Sequence, residues 1–135
     1  MANNPQIQGP RSAEQEAGRE AFAWLFFGFN GRIGREAYWL AIGLLWSVLF
    51  VTISLLVSAV GQEAAAGPTL MLGLASLWLE MAILVKRQHD RGLPWFWCLL
   101  AFVPVVGMIW VVAAGVIPGD EGPNAFGDRA DTPPA

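Results

Sequence analysis

YWLAIGLLWSVLFVTISLLVSAV, residues 38–60, contains 23 residues without a single Asp, Glu, Lys or Arg. At a rise of about 1.5 Å per residue, a helix of this length crosses the roughly 30 Å hydrocarbon core of a bilayer. Two further apolar runs follow it, at residues 69–85 and 95–117. The sequence therefore predicts an all-α integral membrane protein with three transmembrane helices, at 38–60, 69–85 and 95–117.

The third run contains Pro104 and Gly107 near its middle. Proline removes one helical hydrogen bond and glycine permits bending, so we expect a kinked helix that crosses the membrane. The alternative is a re-entrant hairpin that returns the chain to the side from which it entered, because about twenty residues are too few for two full crossings. A crossing would place the carboxyl end on the opposite side from the amino end.

The segments outside these runs differ in character. Residues 13–28 are polar early and aromatic late, which predicts an amphipathic helix lying along the membrane interface. Residues 118–127 are rich in Gly and predict a tight turn. Residues 1–12 and 128–135 contain Pro and lack a periodic apolar face, so both are predicted to be disordered tails. Residues 13–128 would then form a single membrane domain.

The distribution of Lys and Arg predicts the orientation. Seven of the eight lie beside the amino-terminal end of the first run or between the second and third runs, and the turn at 61–68 has none. Basic residues favour the cytoplasmic side, so the amino terminus should be cytoplasmic and the carboxyl terminus periplasmic. The seven are Arg11, Arg19, Arg32, Arg35, Lys86, Arg87 and Arg91.

Composition excludes several functional classes. The net charge is -3 and the basic residues are few, which argues against a nucleic-acid partner. The single cysteine, Cys98, cannot form an intramolecular disulfide and is expected to be a small buried apolar side chain. One histidine and one cysteine do not make a convincing metal site, so neither a metal nor another cofactor is predicted.

Glu80 is an acidic residue inside the second apolar run. A charged side chain within the bilayer costs on the order of 2–4 kcal/mol, so it needs a partner, a proton or access to the surface. The first interpretation is a structural ion pair with Arg87, which lies two helical turns away, or with an arginine before the first run. The alternative is a proton or cation site.

His89 and Asp90 lie near the end of the basic stretch at residues 86–91. A carboxylate beside an imidazole can make a general base, which is the enzymatic interpretation. Adjacent residues on a helix point in different directions, however, so direct contact between the two is not expected. We therefore favour a hydrogen-bonded polar cluster at the interface over catalysis, and predict no catalytic residue.

FNGRIGREAYW, residues 29–39, resembles the F-x-G-R-x-x-R-x-E-Y-W opening of the small bacterial inner-membrane proteins grouped as domain of unknown function 805. Residues 86–90, 104–107 and 119–127 are similar to that family's R-R-x-H-D, P-x-x-G and G-x-x-G-x-N-x-[YF]-G motifs, in the same order. The resemblance implies a location in the bacterial inner membrane but no reaction, since the family has no established activity. Ala37 and Lys86 depart from the pattern; Arg32, Arg35, Arg87, His89, Asp90 and Asn124 keep it.

The function expected from these features is non-enzymatic. A scaffold or accessory subunit would use a basic collar on the cytoplasmic face to bind anionic lipid heads or an acidic partner. Small residues spaced as in Gly43 and Ser47 also permit self-association or a membrane-protein partner. The alternatives are an oligomeric ion or solute channel that uses Glu80, and a membrane enzyme that acts on lipid through His89 and Asp90. The collar consists of Arg32, Arg35, Lys86, Arg87 and Arg91.

Overall fold

A computed structural model describes residues 10–133, with the side chains from residue 12 onward. Its helices are α1 Pro10–Phe27, α2 Arg35–Val60, α3 Gln62–Asp90, a 3₁₀ helix Trp95–Phe102 and α4 Val106–Val116. The predicted all-α class is confirmed for this part of the chain. Its β-type pairing is limited to an isolated bridge between Asn124 and Gly127. Most of the predicted amino-terminal tail and the last two residues lie outside the described residues.

Helices α2 and α3 form an antiparallel pair joined by Gly61 alone. Gly61 has a φ of 82°, a value that glycine adopts without steric cost. The sequence predicts a turn at 61–68, but residues 62–68 are helical because the alanines at 64–66 are strong helix formers. The basic stretch at 86–91, which the sequence places between two transmembrane helices, is also helical through Asp90, because α3 continues to that residue.

Both long helices expose their apolar side chains. In the most apolar 18-residue window of α2 only 11% of residues are buried, and in that of α3 28% are. Both helices are long and apolar enough to cross a membrane. Contiguous apolar surface on this scale is unfavourable in water and favourable in lipid.

The third apolar run does not form the single kinked helix expected for it, but a 3₁₀ helix and α4 that are separated by a turn. The Tyr38 hydroxyl donates to the carbonyl of Val111 at 3.0 Å, and the Trp39 indole donates to that of Gly115 at 3.1 Å. The end of α4 therefore lies beside the beginning of α2, at the end of the molecule where the 3₁₀ helix also begins. The run forms the re-entrant hairpin, which was the alternative.

The tip of this hairpin explains the Pro104–Gly107 spacing. Val106 N–H donates to the Pro104 carbonyl at 2.7 Å around Val105, whose φ of 66° is unusual for a β-branched residue. A Cβ on Gly107 would overlap the backbone of Ala101 in the opposite half. Proline thus begins a three-residue turn, and glycine lets the two halves approach closely.

The tightest packing lies at the end of the molecule where α2 begins and α3 ends. Its buried apolar residues include Ile33 and Tyr38, both without exposed area, and Cys98, which is buried as expected. The carboxyl-terminal segment packs on this end and is not a disordered tail as far as Asp131, whose N–H donates to the Arg32 carbonyl at 2.9 Å. The carboxyl-terminal segment thus returns to the same end of the molecule as the start of α2.

Candidate functional site

Three segments that are distant in sequence meet at this end of the molecule. They are residues 28–35 before α2, residues 86–92 at the end of α3, and residues 118–131 after α4. Together they form what we call the polar cap. Six of its polar side chains are buried although they belong to residue types that are mostly exposed in proteins. These are Arg32, Lys86, Arg87, Gln88, His89 and Asp90, with exposures of 1%, 0%, 0%, 0%, 8% and 4%.

Asp90 is the centre of the polar cap. Its Oδ1 accepts from both Nε and Nη2 of Arg32 at 3.1 Å, and its Oδ2 accepts from Nη1 of Arg87. Its backbone carbonyl accepts from the N–H of Asp120 at 2.7 Å. The side chain therefore joins α2's leading segment to α3, while its main chain holds the carboxyl-terminal segment.

Arg32 uses all of its donor groups inside the protein. Besides Asp90, its Nη1 donates to the carbonyls of Gly122 and Gly127 at 2.7 and 3.0 Å, and its Nη2 donates to that of Asp120 at 2.6 Å. A guanidinium offers five N–H groups in a rigid fork, and each of the five has an acceptor here. Arg32 thus fixes the shape of the carboxyl-terminal turn.

Arg87 performs the same task for the re-entrant hairpin. Its Nε donates to the Ala114 carbonyl at 2.7 Å and its Nη2 to the Ile117 carbonyl at 2.6 Å. The last carbonyls of a helix lack intrahelical partners, so a buried cation is well suited to them. Its Nη1 also donates to the Ile33 carbonyl at 3.2 Å. One residue therefore connects α3, α4 and the segment before α2.

Lys86 is also buried and bound to backbone oxygens. Its Nζ donates to the carbonyls of Trp24, at 3.0 Å, and Gly28, which lie in the last turn of α1 and directly after it. The ammonium also lies 5.4 Å from the centre of the Trp24 ring, in cation–π range. Lysine can replace the arginine of the family motif here because the acceptors are two separate carbonyls. Binding them does not require the bidentate fork of a guanidinium.

His89 and Asn124 hold the carboxyl-terminal turn from its other side. The His89 ring stacks on Phe126 with centroids 4.0 Å apart, and its Nδ1 is 3.2 Å from the Gly31 carbonyl. Asn124 donates to the His89 carbonyl at 2.9 Å and accepts from the N–H of Phe126 at 2.9 Å. The predicted grouping of His89, Asp90 and Asn124 is thus a set of contacts between α3 and the turn.

His89 and Asp90 have different partners and are not hydrogen-bonded to each other. The ring of His89 faces Gly31 and Phe126, whereas the carboxylate of Asp90 faces two arginines. The pair therefore does not form the orienting hydrogen bond that a general base requires. No three His, Cys, Asp or Glu side chains come together as candidate metal ligands between residues 12 and 133.

The five residues of the predicted collar divide into two groups. Arg32, Lys86 and Arg87 are buried and hydrogen-bonded to protein oxygens, so they do not offer a surface to lipid heads. Arg35 is exposed, and Arg91 is half-buried, donating to Gln88 Oε1 at 3.1 Å and lying 5.4 Å from the Trp110 ring centre. The sequence groups the five residues by their charge, but it does not show that backbone carbonyls bind three of them.

Glu80 does not form the ion pair expected for it. The two ion pairs formed among the residues with described side chains both involve Asp90, which leaves neither Arg32 nor Arg87 for Glu80. The Glu80 carboxylate instead accepts from the hydroxyl of Ser76 at 3.2 Å. It stands in the middle of the molecule, apart from the polar cap, beside a cavity described below.

Several residues that shape the polar cap did not stand out as site residues in the sequence. A Cβ on Gly119 would overlap the carboxylate and carbonyl of Asp90, so the turn can approach α3 only with glycine there. Asp131 accepts from the Gly34 N–H at 2.7 Å, which fixes the entry to α2. Gly119 could have been identified from the sequence because it matches the first glycine of the family's G-x-x-G-x-N-x-[YF]-G motif. No motif in the sequence marks Asp131.

Comparison with known proteins agrees with the location but adds no activity. Two relatives from Escherichia coli strain K12 are the Uncharacterized protein YiiR, 37% identical over 100 residues, and the Inner membrane protein YhaH, 29% identical over 106 residues. The matches cover 71% and 76% of this chain, and 62% and 86% of the relatives, so the chain spans less than two thirds of YiiR. No solved structure matches. Residues 26–128 match the family described as "Protein of unknown function (DUF805)", and the chain belongs to that family.

Proposed function

We propose that the protein is a non-enzymatic scaffold or accessory subunit of the bacterial inner membrane, with the polar cap in the cytoplasm. Residues 36–85 contain no Lys or Arg, so the α2–α3 pair carries basic residues only at the end that belongs to the polar cap. Because the hairpin returns Arg129 to the polar cap, the charge bias is stronger than the sequence suggested. Both the amino-terminal and carboxyl-terminal segments would then be cytoplasmic, which replaces the expected periplasmic carboxyl end.

The observation that carries this proposal is the saturation of the motif residues. Arg32, Arg87 and Asp90 have their hydrogen-bonding capacity directed at one another and at backbone carbonyls. A reaction centre needs groups free to meet a substrate, whereas a scaffold needs a surface held in one shape. The motif therefore supports a rigid surface better than it supports a catalytic site.

The exposed charges of the polar cap favour a basic partner. With Arg32, Lys86 and Arg87 buried, its exposed charged residues are four acids against two cations: Asp120, Glu121, Asp128 and Asp131 against Arg35 and Arg129. Charge complementarity selects partners and fixes their register, so a Lys- or Arg-rich cytoplasmic segment of another membrane protein fits this surface. Arg35 and Arg91 remain the cations of the predicted collar that anionic lipid heads could reach.

A photo-crosslinking amino acid at the exposed Ala125 tests this proposal in cells. We expect a discrete adduct with a membrane protein, which disappears when Glu121→Gln and Asp128→Asn remove two exposed charges that no hydrogen bond holds in place. The matched control is Glu14→Gln with Glu16→Gln on α1, which removes the same charge elsewhere and should leave the adduct intact. Adducts that are unaffected by the first pair, or that are lost equally with the second, contradict the proposal.

Self-association is the second partner consistent with the structure. Gly43, Ser47, Ser54 and Ser58 all lie on the exposed surface of α2, at spacings that place them on one face. Small residues on a lipid-facing helix let two backbones approach closely. Disulfide cross-linking of a Ser54→Cys variant that lacks Cys98, compared with Leu55→Cys on a different face, would show whether this face pairs.

The channel alternative has one observation in its favour, which is Glu80 in the middle of α3. Its surroundings argue against it, because apart from Tyr38 and Glu80 the side chains lining the neighbouring cavity are apolar. An ion pathway needs a continuous polar or charged lining. Proton or cation flux into proteoliposomes that is lost in the Glu80→Gln variant would support the channel function and weaken the scaffold proposal.

A further inference from the structure

A cavity of about 450 Å³ lies between α2, α3 and the re-entrant hairpin. Each element contributes one face: residues at i, i+4 and i+8 of α2, at i, i+3, i+4 and i+7 of α3, and the inner side of α4. The volume is within the range of small-ligand pockets, roughly 300–1,000 Å³. The central lining residues are Tyr38, Ile42, Leu77, Glu80, Met81 and Met108.

The mouth of the cavity is apolar. Trp46, Phe102 and Met108 border it, with exposures of 55%, 57% and 76%. These residues belong to the lipid-facing surface of α2 and the hairpin, away from the polar cap. A ligand would therefore enter sideways from the bilayer, and its body must be apolar.

Of the two ionisable side chains in the lining, Glu80 has the larger unused hydrogen-bonding capacity. The Tyr38 hydroxyl donates to the Val111 carbonyl at 3.0 Å and the side chain has no exposed area. The Glu80 carboxylate receives one hydrogen bond, from Ser76, although its two oxygens offer about four acceptor sites. Its remaining capacity is available to the cavity.

The charge of Glu80 also has no counterion among the residues with described side chains. Asp90 pairs with the two buried arginines, Arg32 and Arg87, and α3 places Glu80 about 15 Å along its axis from Asp90. An acid at this depth is costly unless it is neutralised, and an ionisable residue inside a membrane marks a functional site by default. A ligand that brings a cation would supply the missing partner.

We propose that this cavity binds a single amphiphile from the bilayer, whose apolar body fills the space between the helices and whose amine forms a charge-assisted hydrogen bond with Glu80. The inference is independent of the scaffold function, which rests on the polar cap. It makes Glu80 a ligand-binding residue. It also assigns a role in ligand binding to the re-entrant hairpin, because the hairpin supplies the third wall of the cavity.

Photolabelling of the full-length protein in zwitterionic lipid nanodiscs tests the proposal. The probe is a long-chain alkylamine with a diazirine in its chain, and the comparison probes are the alcohol and the carboxylic acid of the same length. We expect the amine to label peptides of α3 and α4 that line the cavity. Glu80→Gln should reduce this labelling about tenfold, the loss typical of one charge-assisted hydrogen bond. Glu63→Gln, a matched change on the exposed first turn of α3, should leave it unchanged.

Two further variants test the cavity itself. Ala101→Trp fills it from the 3₁₀ helix, and Leu77→Trp fills it from α3, so both should reduce labelling by the amine. Each variant is first compared with the wild type in thermal unfolding, and the one that retains the wild-type transition is used. The proposal is overturned if the carboxylic acid labels the lining as strongly as the amine, if Glu80→Gln has no effect, or if labelling survives when the cavity is filled.

Discussion

At the scale of single residues, the polar cap is organised by one carboxylate that two buried arginines share. Two cations and one anion are a costly combination inside a protein, and the carbonyls around Arg32 and Arg87 offset part of that cost. The sequence identified Arg32, Arg87 and Asp90 as residues of interest. It assigned the arginines to the surface because a charged side chain is ordinarily exposed, and the acceptors that bury them are main-chain atoms with no signature in a sequence.

Replacing Asp90 should destabilise the protein strongly. Asp90→Asn leaves two buried guanidinium groups without a counterion, and breaking a buried ion pair of this kind costs about 3–5 kcal/mol. The expected result is a large fall in the unfolding temperature of the protein in nanodiscs and in its level in the membrane. Asp128→Asn, a change of the same chemistry on the exposed surface, should leave both near the wild-type values. Equal behaviour of the two variants would mean that the ion-pair cluster contributes little.

Gly119 offers a sharper test of how closely the turn approaches α3. Gly119→Ala places a methyl group against the carboxylate and carbonyl of Asp90, and overpacking of this kind costs about 1–3 kcal/mol. Gly122→Ala lies in the same turn, where an added Cβ meets nothing within 4 Å, and should be tolerated. Thermal unfolding of the two variants measures the difference, which vanishes if the turn does not contact α3.

At the scale of elements, the decisive event is the return of the third apolar run. Hydropathy identified that run, and Pro104 and Gly107 marked its middle, but both the kinked crossing and the hairpin agreed with those residues. The structure has a hairpin because Tyr38, Trp39 and Arg87 bond to carbonyls near the end of α4. Val105 adopts a positive φ at the tip, which shows that the turn is held by contacts on either side of it.

Cysteine accessibility distinguishes the hairpin from a crossing. In a variant without Cys98, Thr132→Cys should resist an impermeant thiol reagent in intact spheroplasts and react after the membrane is opened. Gln62→Cys, at the turn between α2 and α3, should react in intact spheroplasts because it lies at the opposite end of the pair. Labelling of both positions in intact cells would place the carboxyl end in the periplasm and contradict the hairpin.

At the scale of the whole molecule, the polar cap joins parts of the chain that have no sequence proximity. Arg32 connects the segment before α2 to the last fifteen described residues, and Arg87 connects α3 to α4. The hairpin and the carboxyl-terminal turn therefore depend on the same cluster. This dependence extends the folded domain from the predicted tight turn at 118–127 to Asp131, although composition predicts a disordered tail from residue 128 onward.

Truncation tests that dependence. A chain that ends at Ile117 loses three of the carbonyls that bind Arg32, so we expect a lower level in the membrane and cleavage of the hairpin by added protease. A chain that ends at Asp131 keeps these contacts and should behave like the full-length protein. Equal protease resistance of all three chains would show that the hairpin is stable without the carboxyl-terminal segment.

The sequence by itself determined that this is a helical protein with apolar helices suited to a membrane, and it identified the family. It could do so because transfer of each side chain into lipid is a nearly additive, local property, and 23 uncharged residues leave little ambiguity. Only the tertiary structure decided that the third run turns back, that three of the five expected surface cations are buried, and that Glu80 faces a cavity. Those outcomes depend on contacts between distant segments, and above all on main-chain carbonyls whose positions exist only once the chain has folded.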